Sequence, residues 1–311
     1  MARAITLTGQ YIIKTVGDGL NHDLGKLFNI KDYDWSFYSD TDSCYITLAP
    51  MVEKFYKNVS DEKLTSIIDK IAKEKITPII NKHCLDLQTY TNSYRNLISF
   101  KQESISKNGV WVAKKRYFMN VLDNEGVRYT TPKLKVLGLE VVKSSTPGIV
   151  REKLKTCLSL ILDNKEDELQ AFIADFKVLF NSLPVEDIAS PRGVNGIEKY
   201  SNSTTVYNSG CPIHTKGAIL YNNKLKSLKL ENKYPLVNEG DKIKYTYLIE
   251  PNPIKDGVIS FPYELPKEFN IQKYIDYNKQ FEKTFLEPVN NILKIIQWNT
   301  EKKNSIDDFF C

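Results

Sequence analysis

The sequence predicts an α+β fold: an antiparallel sheet with flanking helices, then a mixed, largely helical half. Three observations predict it. Apolar residues recur at helical spacing through the first 28 positions. Aromatic and β-branched runs bracket an acidic turn at residues 37–45, and two further strand-like runs fill residues 97–122. After Pro147, two helical patterns follow each other with a short Asp163-Asn164 break.

Taken in order, Ile5, Ile12, Val16, Leu20, Leu24 and Leu27 place residues 2 to about 28 on one helix. Trp35, Phe37 and Tyr38 then favour a strand, and Tyr45, Ile46, Thr47 and Leu48 favour another. Ser39-Asp40-Thr41-Asp42-Ser43 between them is turn chemistry. The result is a β-hairpin that lifts Asp40 and Asp42 to its tip. Two acids there can hold hard divalent cations through oxygen ligands. The same residues also suit an ordinary solvated turn, because Asp and Ser bond their own backbone. A calcium loop is excluded: counting from Asp40, its sixth position is Tyr45 and its twelfth Met51, where Gly and Glu are needed.

Ser60 is placed to cap a helix reaching about His83, with Asp61 and Glu62 in its first turn and Pro78 kinking or ending it. "LISFKQESI" and "VWVAKKRYFMNVL" read as two long antiparallel strands joined at Lys107-Asn108-Gly109. The first strand presents Glu103. The second presents Lys114, Lys115, Arg116 and Tyr117, with alternate members facing opposite ways. A basic run of this kind, by itself, fits a solvated face. Ser144, Ser145 and Thr146 before Pro147 open a helix to about Leu162, and a second runs from Glu166 to about Leu183. "GDKIKYTYLIEPNP" alternates like a half-buried strand, and residues 271–298 read as closing helices interrupted at Pro288. In the tail "EKKNSIDDFFC", Ile306, Phe309 and Phe310 fall on one face of a helical turn and form an apolar patch that fits a partner site or a local fold-back.

Composition narrows the function classes. The net charge of +5 permits a polyanion partner without requiring one. Five cysteines lie scattered with no Cys-x-x-Cys spacing, which points to a reduced, cytosolic protein rather than a disulfide scaffold or zinc site. His22, His83 and His214 are too dispersed for a metal cluster. The apolar runs are too short to span a membrane.

The string Tyr38-Ser39-Asp40-Thr41-Asp42-Ser43 in a hydrophobic hairpin resembles the C motif of family B DNA polymerases. Lys114-Lys115-Arg116-Tyr117 resembles their Lys-x-Tyr motif in its T-even bacteriophage form. "AITLTGQ" before the hairpin, the Ser-Ser-Thr-Pro helix start, Pro-x-His-x-Lys-Gly at 212–217 and the aromatic tail resemble further family segments, in the family's order. The resemblance implies a partial palm over residues 1–140, a thumb over 141–300 and a clamp-binding tail over 301–311. It implies template-directed nucleotidyl transfer with two magnesium ions about 4 Å apart. Asp42 would be the direct metal ligand, with Asp40 supporting and Glu103 nearby. Lys114, Lys115 and Tyr117 would grip the primer strand, where minor-groove acceptors are common to all correct base pairs. Ser144, Ser145, His214 and Lys216 would face the duplex, with Gly193, Gly196 and Gly217 allowing close backbone approach to phosphate. Ile306, Phe309 and Phe310 would bind a sliding clamp; Lys303 stands where glutamine is usual in that peptide.

The family's A motif, fingers lysine and exonuclease are not in this sequence. The expectation is therefore a C-terminal subunit or fragment of a split polymerase, inactive alone. It would act on primer–template DNA and dNTP with an N-terminal partner, in the cytoplasm of an infected bacterial host. The alternative expectation is a non-catalytic module that tethers DNA to the clamp.

Overall fold

The computed structural model describes residues 2–201 and 206–302, in two compact units that divide between Lys135 and Val136. Both are α+β, and every strand pairing given for the sheets is antiparallel.

The first unit opens with α1 (Ala2–Phe28), as the apolar spacing predicts. Val16, Leu20 and Leu24 on its inner stripe are fully buried with Trp35, Met51 and Cys84. The acidic hairpin follows as β1 (Tyr38–Asp40) and β2 (Ser43–Tyr45). Its strands are shorter than expected. Trp35 leaves the ladder to fill the core, although its carbonyl still accepts the Thr47 N–H at 2.8 Å.

After α2 (Ala49–Phe55), a long helix runs as α3 (Asp61–Ile71), a π turn over Ala72–Ile76, and α4 (Thr77–Tyr90). Pro78 therefore does not end the helix near His83. Proline lacks an N–H, and its ring meets the carbonyl four residues back, here Glu74. The π turn contains Glu74 and widens the backbone there, so the helix passes through. In the second unit Pro288 follows the same rule. Its fourth-back residue, Thr284, lies in a π turn at Glu282–Leu286, between α10 (Tyr277–Phe281) and α11 (Glu287–Leu293).

The sheet of the first unit is β3 (Ser104–Ala113), β4 (Arg116–Asn124) and β5 (Val127–Leu137), in that order. The expected turn at Lys107–Gly109 is not a turn. β3 runs through it, and Gly109 lies opposite Met119. A Cβ on Gly109 would meet the Trp111 ring at 2.8 Å and Met119 Cβ at 2.9 Å. Glycine is there to let the Trp111 ring lie over the strand, and irregular register beside it absorbs the slack. The chain reverses at Lys114-Lys115 instead, with Lys115 at φ +60°. The two lysines occupy the turn itself, so they do not alternate across a strand. Glu103 likewise precedes β3 and is exposed.

The second unit begins its helices with α5 (Gly148–Leu162) and α6 (Glu166–Phe180), in register with the sequence reading. After α7 (Val185–Ile188) comes β6 (Ser190–Gly193); α8 (Ile197–Tyr200) and α9 (Ile213–Leu228) precede β7 (Lys242–Tyr247) and β8 (Val258–Phe261). The sheet order is β6-β7-β8. Phe176, Phe180, Phe281 and Phe285 form a buried aromatic cluster, its closest rings 4.8 Å apart. Gln280, fully buried, donates to the Ile188 carbonyl at 2.8 Å and so fastens α10 beside β6.

Candidate functional site

The acidic hairpin turns over two residues, Thr41 and Asp42. Asp40 and Ser43 face each other across it, and the Asp42 N–H donates to the Asp40 carbonyl at 2.6 Å. Thr41 sits at φ +54°, a region that β-branched side chains avoid. Such backbone strain is kept where the surroundings demand it and clusters at functional sites. The turn exposes Asp42, whose carboxylate makes no hydrogen bond or ion pair among the described residues. Asp40 ends β1 and is half-buried. Its carboxylate accepts from the Thr41 hydroxyl at 3.1 Å and lies 3.4 Å from the Lys115 ammonium.

The two carboxylates of the sequence reading are therefore not equivalent. One is held by a lysine and the other is open to a ligand. Among the described residues no group of three His, Cys, Asp or Glu could enclose a metal ion. Magnesium demands near-octahedral oxygen geometry. The hairpin on its own does not fit a complete magnesium site, and what it offers is one free carboxylate.

The hairpin is anchored by rings. Tyr38, Tyr45, Trp111 and Tyr117 pack together, with Trp111 and Tyr117 stacked at 5.7 Å. The Tyr45 and Tyr117 hydroxyls share a hydrogen bond of 2.6 Å. Burial pushes the Tyr45 hydroxyl pKa up, and Tyr117 and the nearby charge of Glu103 push the same way. Glu103 thus lies close enough to the hairpin for its charge to be felt there.

The Lys-Lys-Arg-Tyr run divides its work. Lys114 and Lys115 are exposed in the turn, whereas the Tyr117 ring is buried. Periodicity does not show that Tyr117 faces inward, because a turn at Lys107–Gly109 makes the basic run the middle of a strand, whereas the chain reverses at Lys114-Lys115.

In the second unit the expected DNA-facing residues are less uniform. Ser144 is exposed and Ser145 half-buried. Helix α5 begins after Pro147, so neither serine caps it. The Ser145 carbonyl accepts from the Arg192 guanidinium at 3.3 Å. His214 lies in the first turn of α9, and burial, with Arg192 nearby, holds its pKa below the usual histidine value. Both disfavour a charged ring. Lys216 is bound to Asp256 at 2.7 Å, and Asp256 also accepts the Tyr207 hydroxyl at 2.6 Å. Burial opposes the Lys216 charge, but Asp256 outweighs it and raises the pKa. Gly217 serves packing. A Cβ there would meet Ser260 Oγ at 2.4 Å and Ser260 N at 2.8 Å, so glycine lets α9 lie against β8. Gly193 has open space around it, and Gly196 takes φ +77° before α8. Arg192 and Asp256 escaped the sequence reading because each is a single charged residue in a loop or short strand, where no pattern marks it.

Ile306, Phe309 and Phe310 lie outside the described residues. No helix among the described residues is long and apolar enough to cross a membrane.

Comparison with known proteins shows what these features are similar to. The family described as Divergent Family B DNA polymerase matches residues 33–186, a stretch that includes the acidic hairpin and the Lys114–Tyr117 run. Over 99% of its length the chain is 31% identical to the DNA-directed DNA polymerase of Enterobacteria phage T4. Over the same share it is 32% identical to the DNA-directed DNA polymerase of Escherichia phage RB69. The chain spans about a third of these relatives, 35% of each.

Proposed function

We propose that the chain belongs with the T4-like family B DNA polymerases and contributes to template-directed nucleotidyl transfer. In this reading the first unit is part of the polymerase palm and the second is the thumb. Primer–template DNA and a dNTP are the substrates.

The observation that carries the reading is the asymmetry of the acidic hairpin. Asp42 stands free at the tip while the Lys115 ammonium lies 3.4 Å from Asp40. Asp42 would be the ligand for magnesium, which when bound activates the primer 3′-hydroxyl and neutralises the leaving pyrophosphate. Asp40 supports it by holding Lys115 beside the hairpin, and Glu103 adds negative charge nearby. The other ligands of such a site would come from the part of the relatives that this chain does not match. In a split polymerase an N-terminal partner would carry them.

Lys114 and Lys115 project from a turn whose neighbours are rigid rings, which suits a grip on the primer end without sequence preference. Ser144, Ser145, His214 and Lys216 extend duplex contacts in the second unit. With burial disfavouring its charge, His214 would act as a hydrogen-bonding group more than as a phosphate counter-charge. Lys216 would share its charge with Asp256. The tail residues Ile306, Phe309 and Phe310 would tether the chain to a sliding clamp. Primer extension after co-expression with a polypeptide carrying the rest of the relatives' length tests the whole reading. Extension should require both polypeptides, and no extension from the joined pair would count against it.

A further inference from the structure

Tyr38 joins the acidic hairpin to the basic turn between β3 and β4. Its backbone pairs with Tyr45 in the acidic hairpin, two residues before Asp40. Its ring lies 6.4 Å from Trp111 and 6.2 Å from Tyr117, which flank the basic turn. Its hydroxyl accepts the backbone N–H of Lys115 at 2.9 Å. Lys115 stands at φ +60°, where a residue with a Cβ rarely settles without local support. From that backbone the Lys115 ammonium reaches Asp40.

We propose that Tyr38 is a positioning residue: its hydroxyl fixes the left-handed backbone of Lys115 and so aims the lysine at the acidic hairpin and the primer end beside it. The assignment rests on the reading of Lys115 as a DNA contact. A long lysine side chain on a free turn samples many rotamers, and most of them point into solvent. The Tyr38 hydroxyl and the Asp40 carboxylate hold this lysine at both ends, by its backbone and by its Nζ. Neither contact alone defines its direction. Tyrosine is required at position 38 for its hydroxyl, because phenylalanine would supply the same ring to Tyr45, Trp111 and Tyr117.

The test uses the 311-residue chain with Tyr38→Phe, Lys115→Ala and the double variant. Amide exchange at Lys115 is followed by NMR, and affinity for a fluorescent primer–template duplex by anisotropy. Tyr38→Phe should speed exchange at Lys115 and weaken duplex binding, each by about two- to tenfold, the worth of one hydrogen bond. Its melting temperature should stay close to that of the parent. The double variant should bind duplex no more weakly than Lys115→Ala, because Tyr38 acts through the lysine. Unchanged exchange at Lys115 in Tyr38→Phe would overturn the proposal, as would additive losses in the double variant. Duplex binding untouched by Lys115→Ala, with exchange still faster in Tyr38→Phe, would overturn the DNA role of the lysine and with it the function assigned to Tyr38.

Discussion

The hydroxyls of Tyr45 and Tyr117, 72 positions apart, share a hydrogen bond of 2.6 Å. One tyrosine belongs to the acidic hairpin and the other follows the basic turn, so this bond fixes the distance between two groups of opposite charge.

Removing one hydroxyl takes the hydrogen bond from its partner, the buried Tyr117 or the half-buried Tyr45. Tyr45→Phe and Tyr117→Phe should each destabilise the first unit by about 1–2 kcal/mol. The double variant should cost less than the sum, because it leaves no orphaned hydroxyl. Urea denaturation of the three variants checks this, and strict additivity would mean the hydroxyls do not depend on each other.

Alkaline pH should unfold the chain through its tyrosines. Burial pushes the Tyr221 and Tyr247 hydroxyls to about 12, and Tyr45 is raised as well. In the unfolded chain tyrosine ionises near pH 10, at about 10 for an unperturbed side chain. Above that pH the unfolded state sheds protons that the folded state keeps, so the equilibrium moves toward unfolding. The stabilisation is fully present below about pH 10 and is lost as pH rises toward about 12. Thermal melts between these limits should show falling midpoints, together with a rise in tyrosinate absorbance at the transition.

Gly217→Ala separates packing from DNA approach. The new Cβ would meet Ser260 Oγ and the Ser260 backbone nitrogen, and backbone cannot step aside cheaply. A loss of about 1–3 kcal/mol in the second unit is expected, as for overpacked cores. If stability is unchanged and only duplex affinity falls, the glycine serves phosphate approach after all.

Arg128 guards the buried carboxylate of Asp123, whose side chain is 1% exposed, through a contact of 2.8 Å. Arg128 also reaches Asp69 on α3 at 3.2 Å and so ties helix to sheet. Arg128→Ala should cost about 2 kcal/mol, less than stripping a fully buried pair because the arginine is 39% exposed. Denaturation at pH 7 measures it, and a neutral result would show that water solvates Asp123 instead.

The sequence exposes its long-period features and hides its local ones. The Val16, Leu20 and Leu24 stripe of α1 and the Asp163-Asn164 break between α5 and α6 are periodic or turn signals, and the structure follows them, although Ile5 and Leu27 of the same pattern are exposed. The acidic hairpin was legible because aromatic runs bracket turn residues. The basic turn was not. Asn108-Gly109 carries a strong hairpin signal, but the Trp111 ring needs that glycine for room. The real reversal uses Lys115 in a conformation that its own residue type disfavours. β5 is not among the expected strands; it follows β4 directly, through a tight turn at Glu125 and Gly126 with φ +52° and +87°. Partnerships such as Lys115 with Asp40 and Lys216 with Asp256 join residues far apart in sequence, and no local pattern encodes them.

The central claim is that Asp42 supplies a catalytic carboxylate while Asp40 is occupied by Lys115. Primer extension by the chain joined to the rest of the polymerase, with Asp42→Ala, tests it most directly. Extension should fall by about 10²- to 10³-fold, as when a group that stabilises transition-state charge is removed, with duplex affinity preserved. Extension equal to that of the parent would contradict the account and leave the chain a DNA-binding module.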